Sequence, residues 1–138
     1  MTSSQAIASK WQCGDTFFHD RDERTHLQII LSDPTINPAK VVIVNLSSKM
    51  YHEHTCIIEP NEHPYVTKRS CVVYRFAYML PLAYLEEGEE NGSVVRNKPL
   101  SSELLSRALN GAAKSIHMPM DIWDVIDSQD LVDPFLDF

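Results

Sequence analysis

Apolar and polar positions along the chain fall into short runs, most of them of strand length. HLQIILS (26–32) is rich in Ile and Leu and stops at Asp33-Pro34, a turn pair, with Pro38 close behind. KVVIVNLSS (40–48) is a continuous β-branched run, the pattern of a strand buried on both faces. TCIIEP (55–60) is shorter and closed by Pro60, and RSCVVYRFAYML (69–80) is long and ends at Pro81. WQCGDTFF (11–18) leads into a strand through Gly14-Asp15, and GSVVRN (92–97) reads as a last short strand. HDRDERT (19–25) is expected as a charged loop and EEGEEN (86–91) as a charged turn.

After Pro99 the period changes. In SSELLSRALNGAAKSI (101–116), Leu104, Leu105, Ala108, Leu109 and Ala112 recur at helical spacing, Ser101 or Ser102 can cap, and His117-Met118-Pro119 ends the helix. Five or six short strands and one amphipathic helix predict a mainly β domain, a small antiparallel barrel or sandwich over residues 1–116. Residues 117–138 are expected as an acidic, apolar C-terminal tail.

At 138 residues and 43% hydrophobic content, the chain holds enough apolar material for one core. Cys13, Cys56 and Cys71 are odd in number and lack CxxC spacing, so neither a disulfide framework nor a thiolate zinc site is expected. No segment has the roughly 18 apolar residues of a membrane span, and MTSSQAIASKWQ has no signal-peptide pattern, so the expected compartment is the cytoplasm. The formal net charge of −7 is unevenly spread: 12 basic and 13 acidic side chains precede residue 121, and six Asp without Lys or Arg follow it. The acidity describes the tail and leaves a nucleic-acid-binding body open.

GDTFF, IILSD, VVIVNLSS, SCVVYRFAYM and VVRNKPLSSELLSRAL follow one another in an order that resembles the MazF/PemK toxin family over about residues 11–114. The resemblance implies an SH3-like barrel with a short helix, often a homodimer, that cleaves single-stranded RNA without a metal or other cofactor and is blocked by an antitoxin protein. It also implies a hydroxyl at the end of the third strand, here Ser47 with Ser48 beside it, and a basic residue before the second strand. The family's Arg-Pro pair stands here as Thr25-His26, with Arg24 one place upstream, so the basic role falls to Arg24 or His26.

Cleaving RNA without a metal requires taking the 2′-hydroxyl proton, holding the charge that grows on phosphate, and protonating the leaving oxygen. Imidazole and guanidinium suit those tasks at neutral pH. Arg24, His26, Ser47 and His63 are the candidate catalytic residues; Ser48, Lys68, Arg69 and Arg75 are candidates for gripping phosphate, and Tyr65 and Tyr74 for stacking on an unpaired base. Each also has a plain structural reading. His63 can fix a turn, Lys68-Arg69 can solvate the end of a hydrophobic strand, Arg75 can face outward from an edge strand, and the serines can simply end a strand.

His52-Glu53-His54 lacks helical ligand spacing, and two histidines on one strand face do not close a metal site, so no metal is expected. The tail, Asp121 to Phe138, interleaves its aspartates with Ile122, Trp123, Val125, Ile126, Leu131 and Phe135, too apolar for a merely disordered tail. It wants a surface to dock on: the chain's own groove, a second subunit, another protein, or the barrel as a last amphipathic helix. A barrel that has lost catalysis and binds a protein through this tail is the second functional reading.

Overall fold

The computed structural model describes residues 11–19 and 26–132. The apolar runs form β1 (Thr16–His19), β2 (Gln28–Ile30), β3 (Val41–Ser47), β4 (Ile57–Ile58), β5 (Ser70–Leu80) and β6 (Val94–Asn97), all antiparallel in one curled sheet of order β4-β5-β3-β2-β1-β6. Every strand lies within a run expected as one, except that β1 reaches one residue further, to His19. β3 is the backbone of the sheet. Its Val42, Val44 and Leu46 face one cluster and its Val41 and Ile43 the other, so the unbroken β-branched run reflects burial on both faces.

The larger core lies under two helices, α2 (Ser102–Lys114) and α3 (Met120–Ser128), and the smaller one under α1 (Leu82–Asn91). α2 starts as expected, with the Ser101 hydroxyl accepting from the Leu104 N–H at 3.1 Å. Gly111 lets it approach the sheet, since a Cβ there would collide with the Tyr74 hydroxyl.

One expectation is corrected. Residues 86–91 are not a turn: they complete α1, which begins after Pro81 and ends at Gly92 in the left-handed conformation, φ 88°. Its glutamates line the solvent side, while Leu82 and Leu85 pack on the sheet and Gly88 lies against Val94. Of the alternatives open for the segment from 117, its described part takes the last, an amphipathic helix packed on the sheet. α3 inserts Ile122 and Ile126 into the larger core beside β3 and β5, with Asp121, Asp124 and Asp127 exposed. Asp133 to Phe138 lie outside the described residues. Among the described residues no helix is long and apolar enough to cross a membrane.

One irregularity shapes the surface. From Ile43↔Tyr78 to Asn45↔Val73 the register jumps, with four residues of β5 standing opposite Val44 alone. A bulge of this kind bends the strand and turns side chains outward. Arg75 and Phe76 are exposed there. The backbone N–H of Tyr74 is accepted by Glu53 Oε2 at 3.2 Å. Glu53 also accepts from the hydroxyls of Thr55 (2.9 Å) and Ser115 (2.7 Å), so one buried carboxylate ties the bulge to the end of α2.

Candidate functional site

Two open clefts meet at His26. The first, about 580 Å³, is lined by His26, Leu46, Ser48, Tyr65, Lys68, Ser70 and their neighbours in the 64–67 loop. The second, about 510 Å³, is lined by His26, Asn45, Ser47, Lys49, Tyr51, His52 and Phe76. Both sizes fall in the range of small-ligand sites. In a chain of net charge −7, no carboxylate among the described residues lines either cleft.

His26 is exposed where β2 is about to begin, and its Nδ1 lies 3.3 Å from the Leu46 carbonyl. A carbonyl only accepts, so this contact puts the ring proton on Nδ1 and leaves Nε2 as the basic nitrogen of the neutral ring. Lys49 and Lys68 are exposed on the two sides of His26, and among the described residues neither forms an ion pair. Arg75 has its guanidinium 5.6 Å from the centre of the Phe76 ring.

The sequence-derived candidates divide. His26, Ser48, Tyr65 and Lys68 share the first cleft, and Ser47 joins His26 in the second. Ser47 is nearly buried, and its hydroxyl accepts from the Lys49 N–H at 3.1 Å, an ST turn that ends β3. Tyr65 packs edge-on against Phe18 at 4.8 Å. Arg24 lies outside the described residues.

His63 is in neither cleft. It is buried, Nε2–H donates to the Lys98 carbonyl at 2.6 Å, and Nδ1 accepts from the Tyr65 N–H at 3.1 Å. With one obligate acceptor and one obligate donor, the neutral ring has both nitrogens committed to holding the loop. Tyr74 is fully buried and donates to the Ala108 carbonyl at 2.6 Å, so it has no face for a base; burial pushes its hydroxyl well above its ordinary pKa. Arg69 is exposed but pairs with Glu59 at 3.2 Å.

The sequence passed over Lys49, Tyr51 and Phe76, and it weighed His52 only as a metal ligand. The His52 ring lies 4.7 Å from that of Tyr51 and 5.6 Å from that of Phe76, a row of three rings along one wall. Among the described residues no three His, Cys, Asp or Glu side chains gather to form a metal site. The thiols are chemically quiet. Burial pushes Cys56 and Cys71 up, and burial with the charges of Asp33 and Asp15 pushes Cys13 up to about 12. No family model matches the chain, and no curated protein matches its sequence significantly.

Proposed function

We propose that the chain is a metal-independent endoribonuclease acting on single-stranded RNA, an SH3-like barrel of the MazF/PemK kind. The observation that carries this reading is the meeting at His26 of two clefts that no carboxylate lines among the described residues, with Lys49 and Lys68 on either side. The small antiparallel sheet followed by a Ser-capped helix supports the barrel assignment.

His26 Nε2 takes the proton of a 2′-hydroxyl, and that oxygen attacks the adjacent phosphorus. Lys49 and Lys68 hold the charge that develops on the phosphoryl oxygens. The bond to the 5′-oxygen breaks, and His52, the other imidazole on the second cleft, returns a proton to it. The products are a 2′,3′-cyclic phosphate and a 5′-hydroxyl end. Ser48 and Tyr65 contact the strand in the first cleft. An antitoxin and a second copy of the chain are the protein partners this reading carries.

A second reading, a barrel without catalysis that binds a protein, draws on the number of candidates engaged in structural bonds, namely His63, Ser47 and Tyr74, and on the exposed aspartates of α3. The two part company in one assay. Mixed-sequence single-stranded RNA incubated in EDTA is expected to be cut to cyclic-phosphate ends, and the same sequence made with 2′-deoxy sugars to stay intact. Intact RNA after prolonged incubation rules out the enzyme.

A further inference from the structure

Folded chains rarely leave several large aromatic rings in water at one place, because each gives up the burial that would stabilise it. Among the described residues four Tyr or Phe rings are exposed, Tyr51, Tyr65, Phe76 and Tyr84, and three of them line the two clefts. Tyr51 is 77% exposed and Phe76 56%. Neither is a stray side chain. Tyr51 follows the ST turn at Ser47, Phe76 is turned outward by the bulge that Glu53 anchors, and the His52 ring contacts both.

We infer that the wall formed by Tyr51, His52 and Phe76 is a stacking platform for an unpaired nucleobase, with the sugar-phosphate chain running past Lys49 toward His26 and the first cleft. Every base has a π-face, so aromatic walls flanked by cations take single strands with little dependence on sequence. Lys49 beside Tyr51 and Arg75 over Phe76 supply those cations, and the lack of a carboxylate among the described residues of either cleft suits a polyanion better than a basic or neutral peptide. Also lining the second cleft, the Asn45 amide offers both a donor and an acceptor to a base edge. The inference rests on the RNA-cleaving reading for its substrate class, and it adds where the base sits.

Binding is tested without cleavage by using a labelled 2′-O-methyl RNA decamer, which lacks the attacking hydroxyl, and following anisotropy over a range of salt. Tyr51→Ala and Phe76→Ala are each expected to weaken binding about 5- to 150-fold, whereas Tyr51→Phe stays within about twofold of the parent. Tyr51→Ala leaves the slope of log affinity against log salt unchanged, while Lys49→Ala lowers it by about 0.7. A decamer with abasic sites is expected to bind no better to the parent than to Tyr51→Ala. Full affinity in both alanine variants, or tight binding of the abasic strand, overturns the platform. If the parent binds the decamer through Tyr51 yet leaves ordinary RNA uncut, the platform stands and the endonuclease falls. If Tyr51→Ala and Phe76→Ala cut RNA as well as the parent does, the platform falls and the endonuclease stands.

Discussion

Residues 62–70 and residues 49–52 flank the same histidine, yet they spend their polar groups differently. The first stretch, EHPYVTKRS, is dense in charge and was the most suggestive segment of the sequence. Much of it is engaged in structural bonds: His63 bridges Lys98 and Tyr65, Glu62 forms a two-pronged pair with Arg107 of α2, and Arg69 pairs with Glu59. The second stretch, KMYH, offers the sequence reading only His52, as a metal ligand. It leaves Lys49 and Tyr51 exposed beside a cleft. A chemically rich cluster is therefore a poor guide to a site unless its groups lack structural partners, and supplying such partners is what loops next to a sheet edge most often need.

Several substitutions sharpen the contrast. His63→Ala leaves the Lys98 carbonyl and the Tyr65 N–H without partners, so it is expected to cost about 1–3 kcal/mol and lower Tm by roughly 3–10 °C in a thermal melt. Alkaline pH probes the quiet thiols. Unfolded thiols ionise near their ordinary value of 9.0, whereas folded Cys13 holds its proton to about 12, so above pH 9 the unfolded state binds fewer protons. The stabilisation is complete below pH 9 and is lost as pH rises toward 12, which denaturant titrations at successive pH values will register as a falling midpoint. Thiol-specific alkylation at pH 8 is correspondingly expected to be slow until the chain unfolds. Arg69→Ala has the smallest effect, at most about 0.5 kcal/mol, because its pair with Glu59 is solvent-exposed. A larger loss at Arg69 than at His63 would reverse the contrast.

The strands were legible because burial on one or both faces writes itself into β-branched and apolar runs: β3 matches KVVIVNLSS closely and β5 matches RSCVVYRFAYML. α1 was hidden by its composition. Four glutamates and a glycine in 86–91 imitate a turn, and only Leu82 and Leu85, three residues apart, report the buried side. α3 was legible only as one alternative among several, because its aspartates suit a docking tail as well as a helix, although Ile122 and Ile126 stand four apart, the spacing of one helix face. Of the site, His26, Ser48, Tyr65 and Lys68 could be named from residue type. Phe76 could not, because its exposure comes from a register jump between β3 and β5 that no local pattern encodes. Tyr74 shows the converse: two residues before Phe76 in the same run, it is fully buried and bonded to α2.

The two histidines offer the most direct measurement. Single-turnover cleavage of single-stranded RNA in EDTA should be compared for the parent, His26→Ala and His63→Ala, at a temperature where circular dichroism shows all three folded. His26→Ala is predicted to slow cutting about 10²- to 10⁴-fold with little loss of stability, the range for removing a general base, and His63→Ala to cut within a few-fold of the parent. Equal rates for His26→Ala and the parent, or a loss of cutting in folded His63→Ala as deep as that in His26→Ala, would contradict the assignment of the site to the clefts that meet at His26.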